Sequence, residues 1–217
     1  MKACLWIAVI VVAVLVATSV GQRRYHVRPR FDDFPAGLQY ISGRYYGIPS
    51  SSNASGYLLS PNILYGVPIQ IHHPQRFDQI ATRVVTGAAG NAVVGIYHEA
   101  PSGKPGALLV QGDDVLDLTT SSTDITSTLS QVLSPGFYYL AFNGDASATI
   151  AGRLTDAWQG QFGRTTISGD EFTYVLSVHT YTGTLPDPFS ETAFSYVGIV
   201  DSSGTGDGLP DLSIRAE

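Results

Sequence analysis

Five histidines come first, because imidazole serves both as metal ligand and as general base: His26, His72, His73, His98 and His179. Their spacing speaks against a shared site. His72 and His73 are adjacent, and adjacent residues on a strand point to opposite faces. His98 beside Glu99 meets the same difficulty. No HExxH, CxxC or His-x-His pattern occurs, and the single cysteine, Cys4, excludes a disulfide framework and a four-cysteine zinc site. The stretch from Asp201 to Asp211 is rich in oxygen ligands, yet Thr205 stands at position 5 of a would-be calcium loop and Leu212 at position 12, where the closing Glu belongs. It reads as a polar loop. No Gly-x-Ser-x-Gly elbow, Walker loop or dinucleotide fingerprint is present. Asn53-Ala54-Ser55 is a formal glycosylation sequon. No local signature selects a carboxylate pair for glycoside hydrolysis among 18 acidic residues. The expectation is therefore a non-enzyme, with no catalytic residue, no metal and no cofactor.

Aromatic side chains offer a different chemistry. Tyr45, Tyr46, Trp158, Phe162, Tyr181 and Phe189 fall in loop-like or uncertain stretches. Exposed on a β-protein, such rings stack on sugars or fill a partner's pocket. Otherwise they pack the ends of the fold or a subunit interface. Trp158 stands foremost, because Gly160, Gln161 and Gly163 read as an exposed turn. The candidates for ligand or partner binding are Trp158, Tyr181, Tyr45, Tyr46 and Phe189.

The elements that must position these rings are strands. Of 217 residues, 44% are hydrophobic and only 14% charged, against roughly 25% charged in average domains. Gly 23, Pro 12, Tyr 12 and Phe 9 favour strands and turns. Short apolar or alternating runs predict strands over 44–48, 63–71, 77–85, 92–99, 107–111, 115–118, 125–133, 136–143, 149–152, 172–178, 197–201 and 212–216. Alternation over 92–99 and 137–142 implies one packed face and one face wet or covered. Gly-Pro-Asn-Asp connectors separate the runs, and only Leu154 to Gln161 could make a short helical turn. The expected core is Ile80, Val84, Val94, Ile96, Leu108, Val110, Leu116, Leu133, Tyr138, Leu140, Phe142, Val175 and Leu176. The fold class expected is all-β, an antiparallel jelly-roll-like β-sandwich over 44–217. An N-terminal apolar helix and a basic irregular arm would precede it.

That apolar segment, residues 1–21, carries no charge after Lys2 and is long enough to cross a bilayer core of about 30 Å. Three readings stay open: a cleaved signal peptide with a small-x-small site at Ser19-Val20-Gly21, a membrane anchor, or a helix buried in an assembly. The arm over 22–43 holds Arg23, Arg24, Arg28 and Arg30. The first 31 residues have five basic and no acidic residues, and the remainder has a net charge of −11. A basic arm on an acidic body suggests docking on something negative, or a solvated linker. The overall charge of −6 argues against a general nucleic-acid binder.

Several runs taken together resemble a known domain. They are Asn62 to Pro68, Phe77 to Ile80, Gly95 to Glu99, Gly103 to Leu108, Leu133 to Ala141, Leu185-Pro186, and the closing Pro210 to Arg215. Their order resembles a β-sandwich domain of minor structural and tail-associated proteins of tailed bacteriophages. The resemblance covers residues 44–217; the apolar N-terminal 20-mer departs from it. It implies a virion component of tail, fibre or capsid surface that assembles as a homo-oligomer with other virion proteins. Host-surface glycan and, through the N-terminal segment, a membrane are further expected contacts. The competing expectation is a secreted or membrane-anchored bacterial surface module that binds carbohydrate, its mature chain starting near Gln22.

Overall fold

Glycines inside two apolar strands give the first clue to the layering. The computed structural model describes residues 40–47, 52–154, 172–198 and 209–217. These contain no helix and fourteen strands. The first seven are β1 (Tyr45–Gly47), β2 (Ser52–Leu58), β3 (Ile63–Ile71), β4 (Gln75–Thr86), β5 (Asn91–Glu99), β6 (Pro105–Gln111) and β7 (Leu116–Asp117). The second seven are β8 (Thr123–Leu133), β9 (Gly136–Gly144), β10 (Thr149–Leu154), β11 (Phe172–Val178), β12 (Ser195–Gly198), β13 (Leu209–Pro210) and β14 (Ser213–Ala216).

They form two antiparallel seven-stranded sheets, the arrangement of a β-sandwich. In the first, β4 is central. It pairs with β8 along one edge and with β14 and β10 along the other. Outside these, β1 lies on β14 and β2 on β10. The second sheet runs β12-β11-β3-β9-β5-β6, with β7 beside β5. Between the sheets lies the main core, which includes Phe77, Ile80, Val84, Ile96, Leu140 and Phe142, all 0% exposed. Of the expected core, Leu108, Val110 and Leu176 are only partly buried. The first two sit on the edge strand β6, where one flank has no neighbouring strand.

The second sheet is buried on both faces. Val67, Val94 and Leu140 point into the main core, whereas Leu64, Val93, Tyr97, Tyr139 and Val175 point away from it and are also buried. The cover is a strap, residues 179–194, that leaves β11, crosses the sheet to β5 and β6, and returns to β12. Leu185 and Phe189 are its anchors, 6% and 3% exposed. A Cβ on Gly95 would stand 2.5 Å from Leu185 Cδ1. One on Gly66 would stand 3.3 Å from the Phe189 ring. Glycine inside a strand marks such close approach.

Polar bonds fix the strap along its length. Leu185 N donates to Gln111 Oε1 at 2.7 Å, and Tyr97 Oη to Pro186 O at 2.5 Å. Leu108 N donates to Asp187 Oδ1 and Phe189 N to Gly106 O, both at 2.9 Å. On the return, Val178 N donates to Thr192 O, and Lys104 Nζ sits 4.6 Å from the Phe194 ring centroid.

Some boundaries differ from the sequence expectation. β2 lies in Ser-Asn-Ala-Ser-Gly, which reads as a turn but pairs with β10. Part of the segment expected as polar loop, Leu209–Pro210, is β13 on β10. Tyr40, assigned by sequence to the arm, packs edge-on against Phe77 at 5.4 Å. The apolar segment, the four arm arginines and the possible helical turn after Leu154 lie outside the described residues.

Candidate functional site

Among the described residues, no strap covers the first sheet's outer face. Its side chains fall into rows set by the register of four strands. One row is Tyr45 on β1, Arg215 on β14, Gln79 on β4 and Thr128 on β8. The next is Ser213, Ala81 and Thr126, all small. The third places Arg83 opposite Asp124. Long side chains flanking a row of short ones leave a groove across the strands. A cavity of about 180 Å³ lies there, lined by Tyr45, Ser213, Ala81, Thr126 and Asp124. Thr82 and Asp211 complete the lining, with Thr82 Oγ1 donating to Asp211 O at 2.8 Å. This volume is below the roughly 300–1,000 Å³ of drug-sized ligand sites, so it suits one small ring rather than a dinucleotide or haem.

The walls are held in place. Tyr45 Oη donates to Gln79 Oε1 at 2.6 Å, and the Arg215 guanidinium lies 6.0 Å from the Tyr45 ring centroid. Arg215 is itself clamped bidentately by Asp78, at 2.9 and 2.7 Å. Hydrogen bonds from Arg215 hold the Asp78 carboxyl below the usual carboxylate range, and its charge adds to that. On the far wall, Arg83 reaches Asp124 Oδ1 at 2.8 Å and Ser122 O at 3.1 Å. This second pair is well exposed and contributes about 0–1 kcal/mol. Both groove arginines, Arg83 and Arg215, therefore have a carboxylate partner. Asp78, ionised and paired, is a charge clamp rather than a proton donor.

Of the sequence candidates among the described residues, only Tyr45 stands on this face, 44% exposed. Its neighbour Tyr46 points the other way. It packs edge-on to Tyr40 at 4.8 Å, and its hydroxyl accepts from Ile41 N. Tyr181 belongs to the strap and is half-buried against the second sheet's outer cluster, its hydroxyl pushed up by burial and then by the Asp145 charge. Phe189 is buried against Tyr97, with centroids 5.1 Å apart, so its ring is not offered to a ligand. Trp158 lies outside the described residues. Among the described residues, no group of three or more His, Cys, Asp or Glu is placed to hold a metal ion. Among them too, no helix is long and apolar enough to cross a membrane.

Sequence reasoning missed Asp78, Gln79, Arg83, Asp124 and Arg215. Asp78 and Arg215 are 137 positions apart, and only the pairing of β14 with β4 joins them. The one available signal was the even spacing of polar residues along 124–130, a wet face of β8. The chain matches no protein-family model and no curated protein sequence.

Proposed function

We propose that this chain is a non-enzymatic structural component of a tailed-phage particle, located at tail, fibre or capsid surface. Its sandwich assembles with copies of itself and with other particle proteins and presents a face for attachment. The observation that carries this reading is the inequality of the two outer faces. One is sealed by the chain's own strap, while the other, uncovered by any described residue, is mostly polar and grooved, with a held tyrosine at its rim. A catalyst needs a group poised to titrate or attack, and both groove arginines are engaged in ion pairs, Arg83 with Asp124 and Arg215 with Asp78. The jelly-roll-like winding, the assembly role of the apolar segment and the docking of Arg23, Arg24, Arg28 and Arg30 belong to the same proposal.

The second reading, a secreted or membrane-anchored surface module, draws on the same exposed face. Fractionation of the natural source separates the two. Under the particle reading, peptides including the Met1 segment sediment with particles, and the purified chain is a stable homo-oligomer. A monomeric chain that begins near Gln22, found only in the supernatant, overturns it and installs the second reading.

A further inference from the structure

We infer that the groove between Tyr45 and Asp124 on the first sheet is a subsite for a neutral sugar ring. The inference rests on the attachment reading above and names the chemistry of what is attached. A pyranose has an apolar C–H face and a rim of hydroxyls that both donate and accept. The groove offers a matching pair of surfaces. Tyr45 supplies an aromatic wall, its hydroxyl tied to Gln79 and its ring flanked by Arg215. Such a ring is already ordered, so little side-chain freedom is lost when a ligand stacks on it. Thr126, Ser213 and the Asp124 carboxylate supply hydroxyl and carboxylate partners across a floor kept low by Ala81.

Charge narrows the ligand class. Arg83 is paired with Asp124 and Arg215 with Asp78, and Asp211 adds a further acidic side chain to the lining. With both cations engaged, an anionic sugar or a phosphate gains little there and meets carboxylates. A purely apolar group would desolvate hydroxyls and carboxylates without replacing their hydrogen bonds. A neutral, hydroxyl-rich ring satisfies both conditions. The volume of about 180 Å³ limits the subsite to a single ring. The open groove lets a chain of such rings continue along the sheet.

The test uses the full chain in a zwitterionic detergent, which carries no sugar headgroup, against an array of immobilised neutral and anionic oligosaccharides. The expected result is retention on neutral oligosaccharides that falls about tenfold in Tyr45→Ala. It falls similarly in Ala81→Phe, which fills the floor. Thr126→Val, a surface change with almost no alteration in volume, gives a smaller loss and guards against misfolding in the other two. No retention on any neutral oligosaccharide, a preference for anionic ones, or retention unaltered in all three variants overturns the inference. Particle association is read separately. Variants that remain in the particle fraction but lose sugar support the groove. A chain that binds neutral sugar yet is absent from particles keeps the groove and removes the particle reading.

Discussion

The two outer faces of this sandwich begin from similar strands and end differently. Outward from the second sheet point Leu64, Val93, Tyr97, Tyr139 and Val175, an apolar surface that cannot remain in water. Sixteen residues of loop, 179–194, bury it. Outward from the first sheet point Gln79, Arg83, Asp124, Thr126 and Thr128, which water already satisfies. Among the described residues, no loop crosses them. A sealed face stabilises and an open face is available. That contrast points to the first sheet as the working surface, although Tyr46, Tyr181 and Phe189 lie elsewhere.

The contrast predicts unequal responses to mutation. The largest effect falls on the strap. Phe189→Ala removes a ring packed on Tyr97 and Gly66 and should destabilise by about 3–5 kcal/mol in urea unfolding. A loss below about 1 kcal/mol would mean that the strap is ornamental. Next comes Gly95→Ala, whose Cβ collides with Leu185 and with Val110 O at 2.7 Å. Overpacking of this kind costs about 1–3 kcal/mol, and hydrogen exchange at the Leu185 amide should accelerate with it. Smaller again is Asp187→Ala, which exchanges a solvent-accessible hydrogen bond to Leu108 N for water and costs about 0.5–1 kcal/mol. Smallest is Tyr45→Ala on the open face, within about 0.5 kcal/mol of wild type. A larger loss there would show that the open face is structural after all.

pH separates the faces as well. On the sealed side, burial pushes the Tyr97 and Tyr139 hydroxyls above their usual value. A raised folded value gives stability that is complete below the unfolded value of about 10 and is lost as pH rises towards the folded one. Near-ultraviolet circular dichroism should thus report loosening of this side above pH about 10. On the open side, Asp78 has a lowered value, caused first by its hydrogen bonds to Arg215. Its contribution is present above the unfolded value of about 3.9 and disappears as pH falls through the lower folded one. Asp78→Asn should flatten the acid limb of the stability profile and leave the alkaline limb unaltered.

Much of the sandwich could be read from the sequence, because alternation and turn chemistry are local. β3, β5, β9 and β11 fall where apolar runs and Gly-Pro connectors place them. The strap could not be read. Between Val178 and Ser195 the sequence shows prolines, threonines and scattered aromatics, and these look like an exposed loop. Only the order of strands in the second sheet reveals that an apolar face lies beneath. Gly66 and Gly95 carried the hint, since glycine in a buried strand marks something pressing close. Phe189, one of the rings the sequence offers for binding, is buried for the same reason. The groove was less legible still. Tyr45 was legible as an aromatic, but its partners come from β4, β8 and β14, and register is a long-range property. The bidentate Arg215–Asp78 clamp has no local signature at all.

Tyrosine nitration of the particle fraction, mapped by peptide mass spectrometry, tests the central claim most directly. The account predicts that peptides of this chain are present and that Tyr45 is nitrated while Tyr97 and Tyr139 are spared. Absence of the chain from particles, or nitration of Tyr97 and Tyr139 as readily as Tyr45, would contradict it.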